Sequence, residues 1–120
     1  MVMVKIMNPN VSIIAKNSYI SVSSRKMVFV TRMIQGLPVM KAIDVLSLSR
    51  KACAQDIIDL LHSAIKNAIH NFGVHDVNSI YVKEIRLGRA KFLKRFMPRA
   101  RGRGNRILKH GSNLSIILSV

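Results

Sequence analysis

Acidic side chains are the scarcest charge in this 120-residue chain, with five Asp and Glu against twenty Lys and Arg. The five are scattered along the sequence, so no carboxylate pair suggests general acid–base catalysis. Cysteine is scarcer still. Cys53 stands alone, which excludes a disulfide framework and favours a reducing compartment. No apolar run approaches the roughly 20 residues of a membrane-crossing helix, so no membrane partner is expected. The first ten residues, MVMVKIMNPN, carry one Lys and an early Pro-Asn break, poor material for a signal peptide. The cytoplasm is the expected location. No CxxC, HExxH or Walker-type loop is present. His62 and His70 stand eight residues apart, two turns of a helix, too far to share one ion without other ligands. These absences argue against an enzyme, and no cofactor or metal is expected.

What the chain does have is apolar content and positive charge. Hydrophobic residues make up 49% of it, enough for one folded domain with a core. The net charge of +15 and a pI near 11.3 work against compactness through self-repulsion, and a polyanionic partner explains them best. The charge is uneven: residues 83–120 hold eleven basic residues and one acid, and no acid follows Glu84. Nucleic acid meeting the C-terminal third is therefore the leading expectation.

Periodicity divides the chain into elements. Residues 11–22 are rich in β-branched side chains and read as a strand. Ser23 is placed to cap a helix that Gly36 ends, with Met27, Val30, Met33 and Ile34 on one face. Pro38 suits the first position of a second helix striped by Val39, Ala42, Ile43 and Leu46. Ser49 is placed to cap a third helix, from Arg50 to about Asn71. Its stripe is Ala54, Ile58, Leu61, Ala64, Ile65, Ala68 and Ile69, and Gly73 stops it. The period then changes to two. Ile80 and Val82 alternate, while Ile85 and Leu87 continue on the opposite parity, so a β-bulge is expected at Lys83-Glu84. Leu114, Ile116, Leu118 and Val120 alternate as a strand with one face on a core.

Between these last two strands lies the most basic segment. Arg89, Lys91, Lys94, Arg95, Arg99, Arg101, Arg103, Arg106 and Lys109 come with no acid among them. Pro98, Gly102 and Gly104 supply turn chemistry, which predicts a hairpin with its tip near residues 97–104. The fourteen residues from Lys83 to Phe96 would reach roughly 45 Å at about 3.3 Å each, beyond a body of this size. A two-stranded ribbon is marginal alone in water, so something outside the protein must hold it. Arg suits that role, since its guanidinium binds phosphate in a bidentate manner and stacks on bases. A second basic cluster, Arg25, Lys26 and Arg32, lies on the first helix, whose N-terminus offers free N–H groups to an anion.

The motifs SSRKM, SAIKNAIHNFG and, above all, LKRFMPRARGRGNRILK resemble the bacterial large-subunit ribosomal protein family numbered twenty-second in the L series. The resemblance runs from Ala15 to Val120. It implies an α+β fold of three helices packed on a small antiparallel three-stranded sheet with a long protruding β-hairpin. It also implies one domain, with a body of about 11–87 and 110–120 and a hairpin of about 88–109. The implied role is that of a structural constituent of the large subunit that binds ribosomal RNA, assists assembly and lines the nascent-peptide exit tunnel. Its implied partners are large-subunit ribosomal RNA, neighbouring ribosomal proteins and the nascent polypeptide, with a single copy in the ribosome. Leu93, Lys94, Arg95, Met97, Pro98, Arg99, Ala100, Arg101, Gly102 and Arg103 match the family's hairpin motif and are the implied tunnel-tip residues. Ser24-Arg25-Lys26 matches its first-helix RNA motif. Ser24 stands where the family often has Pro, and Gly104 where Ala or Ser is commoner.

A DNA-architectural protein gripping a groove with a basic β-arm is the alternative. It predicts a dimer with two arms, whereas the helical stripes here fit one compact core. A cationic membrane-active protein would need a long basic amphipathic helix with aromatic anchors, which this chain lacks.

Overall fold

The computed structural model describes residues 12–120. Strand β1 spans Ser12–Ile20, helix α1 Ser24–Ile34, α2 Val39–Ser47 and α3 Ala54–Phe72. Strands β2 (Tyr81–Arg89), β3 (Leu93–Pro98), β4 (Gly104–Lys109) and β5 (Ser112–Ser119) follow. The architecture is the expected one. Three helices cover one face of an antiparallel sheet ordered β1-β5-β2, and β3-β4 form a separate two-stranded ladder.

The central strand is β5, the most buried of the five. Leu114, Ile116 and Leu118 are fully buried toward the helices, and Ile117 is also covered on the opposite face. In β1, Ile13 and Ala15 point inward while Ile14 remains half-exposed. The expected bulge in β2 is present: Val82 pairs with Leu118, but Glu84 pairs with Ile117, leaving Lys83 as the extra residue. The insertion reverses the parity of β2, so Ile85 and Leu87 face the same core as Val82. Val11, the expected first residue of β1, lies outside the described residues.

The helices differ from expectation in three local ways. Ser23 occupies the N-cap position of α1, but its side chain makes no capping hydrogen bond. Pro38 is the N-cap of α2, not its first helical residue. It must remain extended because it bridges Tyr81, while Val39 N–H donates to Ile80 O (3.0 Å) and Val82 N–H to Leu37 O (2.9 Å). The α1–α2 connection thereby covers the start of the β2 edge. Helix α3 begins at Ala54, four residues later than expected, because the Ser49 hydroxyl accepts from Lys51 N–H (3.3 Å) in a separate turn. Gly73 ends α3 in the left-handed conformation, φ 65°, and the following Val74 N–H donates to Ala68 O.

Helix α3 packs chiefly on β1 and against α2, with Ala64 and Ala68 fully buried at the close approach. Its buried face is rotated from the expected stripe. Ile57 and Leu60 are buried, Ile58 and Ile65 are half-buried, and Ile69 is 39% exposed. On α1, likewise, Met33 is exposed and Thr31 takes the inward position. The described residues measure 72 × 27 × 17 Å. The long dimension is the hairpin's.

Candidate nucleic-acid interface

The hairpin leaves the sheet without a break in chain direction but with a change in register. Arg89 pairs with Ser112 at the end of the β2–β5 ladder, and Leu93 pairs with Lys109 at the start of the β3–β4 ladder. Ala90 N–H donates to Gly111 O (3.2 Å). Lys91 and Phe92 together therefore oppose the single residue His110, a second bulge at the hairpin's neck.

Beyond the neck, pairing fixes which side chains share a face. Leu93, Arg95, Met97, Asn105, Ile107 and Lys109 lie on one side, and Lys94, Phe96, Pro98, Gly104, Arg106 and Leu108 on the other. Each face mixes cations with apolar groups, and Ile107 alone in the two strands is even partly buried. Neither face can serve as the inner side of a protein core. Among the described residues the one ion pair joins Arg86 Nε to Glu84 Oε1 (3.1 Å), at the base of the arm. The cations from Arg89 to Lys109 have no carboxylate partner there.

The distal turn is Arg99–Arg103. Arg99 N–H donates to Arg103 O, and Arg101 and Gly102 are both left-handed, with φ of 62° and 72°. For Arg101 that conformation costs about 1–2 kcal/mol. Three of the five residues in this tight loop, Arg99, Arg101 and Arg103, carry guanidinium groups. The residues matching the family's tip motif are therefore spread along the arm. Leu93 and Lys94 lie next to the neck, Arg95 and Met97 along the ladder, and Pro98 through Arg103 at the turn. Arg106 and Lys109 are in the returning strand.

The helix-borne cluster approaches the neck from the other side. Ser112, buried in β5, donates its hydroxyl proton to Val22 O (2.8 Å), with the Met27 sulfur 2.7 Å away. That contact ties the start of α1 to the neck. A cleft of about 770 Å³ opens between them, with Arg25 on the helix side and Arg89, Lys91 and Lys94 on the hairpin side. Lys26 is exposed in the same first turn, which holds no acid, while Arg32 is exposed in the last turn. The two basic clusters expected from the sequence thus meet at Arg25, and Arg32 does not join them.

Sequence reasoning missed His110, which lines this cleft and packs against Phe92 with ring centroids 5.9 Å apart. Its only signal is its place beside Gly111 at the end of the arm. No group of three His, Cys, Asp or Glu among the described residues could hold a metal. Burial raises the Cys53 thiol pKa above its ordinary value, leaving it a poor nucleophile. No helix among the described residues is long and apolar enough to cross a membrane.

Residues 15–119 match the family described as ribosomal protein L22p/L17e. The chain belongs to that family. It is similar to the large ribosomal subunit protein uL22 of Leptospira biflexa serovar Patoc strain Patoc 1, in both the Ames and the Paris lines. Each is 39% identical over 105 residues, covering 88% of this chain and 90% of the relative. The family match extends through the sheet, the helices and the hairpin, so the neck cleft and the distal turn both lie within the family's shared region.

Proposed function

We propose that the chain is a structural constituent of the large ribosomal subunit, anchored in ribosomal RNA by its basic hairpin and by the first turn of α1. Family membership makes it a ribosomal protein that binds ribosomal RNA in the cytoplasmic ribosome, with other ribosomal proteins as neighbours. The observation that carries the anchoring role is the two-faced ladder: both sides of β3–β4 present cations, and among the described residues none has an acidic partner. Only a surrounding polyanion suits such an arm.

Within this reading the arm, about residues 88–109, works as one extension of a single domain. Arg89, Lys91, Lys94, Arg95, Arg106 and Lys109 meet phosphates along it, and Arg25, Lys26 and Arg32 do so from α1. The turn, with Arg99, Arg101 and Arg103, reaches the nascent-peptide tunnel and contributes to its wall. The protein acts as one copy per ribosome, assists subunit assembly and performs no catalysis. The family match gives no support to the DNA-architectural alternative.

Co-sedimentation tests the proposal. The protein should travel with large subunits and stay bound through a salt wash. Release into the unbound fraction at low salt, or a stable free homodimer on sizing, would count against it.

A further inference from the structure

The neck cleft contains more than charge. The Lys91–Phe92 bulge sets Phe92 outside the regular ladder, and 43% of this residue remains exposed. The ring is nevertheless held: His110 packs against it at a 53° tilt, and Lys94 Nζ lies 5.8 Å from its centroid. Arg25, Arg89 and Lys91 stand around the same space. An aromatic ring among the cations that line one cleft matches a nucleotide, with a flat base and an anionic backbone. An acidic peptide would satisfy the cations, but its carboxylate side chains offer no flat group to the ring.

We propose that the neck cleft holds one unstacked nucleotide of ribosomal RNA, its base against Phe92 and its phosphates on Arg25, Arg89 and Lys91, an inference that rests on the RNA-anchoring reading above. The cleft volume of about 770 Å³ lies within the roughly 300–1,000 Å³ of small-molecule sites. Stacking tolerates any base, so the site selects an unpaired nucleotide at a fixed place, not a sequence. It would set the depth to which the hairpin enters the RNA, because the neck is the junction of arm and body.

The test uses the full chain and full-length large-subunit ribosomal RNA, comparing wild type with Phe92→Ala and Phe92→Tyr. Phe92 lies outside the core cluster, so both variants should keep the wild-type amide spectrum. Phe92→Ala should weaken binding about five- to hundredfold at fixed salt, with the slope of affinity against salt unchanged. Phe92→Tyr, which keeps the ring, should bind as wild type does. Chemical probing should find one unpaired nucleotide protected by wild type and Phe92→Tyr and released by Phe92→Ala. Wild-type affinity and protection in Phe92→Ala would overturn the stacked nucleotide while leaving the anchoring intact. A flattened salt slope with no change in protection would also overturn it, as a purely phosphate contact. Failure of the wild-type chain to bind the RNA would overturn both readings.

Discussion

The Ser112 hydroxyl donates a 2.8 Å hydrogen bond to the Val22 carbonyl across 90 residues of sequence. Ser112 is fully buried at the end of β5, and Val22 precedes α1, so this bond fixes the angle between the body's basic helix end and the hairpin's neck. Without it the two walls of the cleft are held by packing and by the pairing of Ile20 with Ser112.

Ser112→Ala should therefore cost about 1–3 kcal/mol by leaving the Val22 carbonyl without its buried donor. Thermal unfolding should shift down by several degrees. The affinity for ribosomal RNA should fall further than Ser115→Ala makes it fall, since Ser115 is only half-buried on the same strand. Equal effects of the two changes would mean that the bond does not position the interface.

Deleting Lys83 tests the bulge. The deletion would give β2 strict alternation, with Ile85 and Leu87 still opposite Ile116 and Leu114 on the core face. Stability, read from the denaturant midpoint, should therefore fall by well under the about 2–4 kcal/mol that exposing both side chains would cost. A loss of that size would show that the extra residue is not what sets the parity.

Substitutions on α3 distinguish its two apolar faces. Ile57→Ala removes a fully buried side chain and should cost about 2–5 kcal/mol, whereas Ile69→Ala, at 39% exposure, should cost far less. The reverse order would restore the stripe expected from spacing alone.

That comparison marks where the sequence was readable. Period-two alternation exposed the bulge at Lys83, because a parity slip between Val82 and Ile85 has few other causes. The α3 stripe was less determinate. Ile57, Ile58, Leu60, Leu61, Ile65 and Ile69 wrap around much of the helix, and only the neighbours β1 and α2 decide which of them are covered. Ser49 was misread because a hydroxyl two residues before an N–H signals a local turn as readily as a helix cap. Pro38 moved by one residue because its pairing with Tyr81 is a tertiary contact. The site followed the same division. Its cations were plain from charge, but the Lys91–Phe92 bulge carries no Gly or Pro to announce it. Only the register between Arg89–Ser112 and Leu93–Lys109 reveals it.

The turn offers another check. The Phe96 ring lies against Gly104, so that a Cβ at residue 104 would fall within it. Gly104→Ala should displace the ring and shift Phe96 and Asn105 resonances, leaving the body's unfolding within about 0.5 kcal/mol of wild type. In a Phe96→Ala background the same change should be silent. Loss of body stability would mean that the arm is not an independent extension.

The salt dependence of ribosomal RNA binding tests the central claim most directly. In log–log form the wild-type affinity should fall steeply with salt, as a multi-phosphate anchor requires. Replacing Arg99, Arg101 and Arg103 with Gln together should weaken binding and flatten that slope by roughly two units, at about 0.7–0.9 per lost phosphate contact. A triple variant with wild-type affinity and slope would contradict an RNA-anchored hairpin.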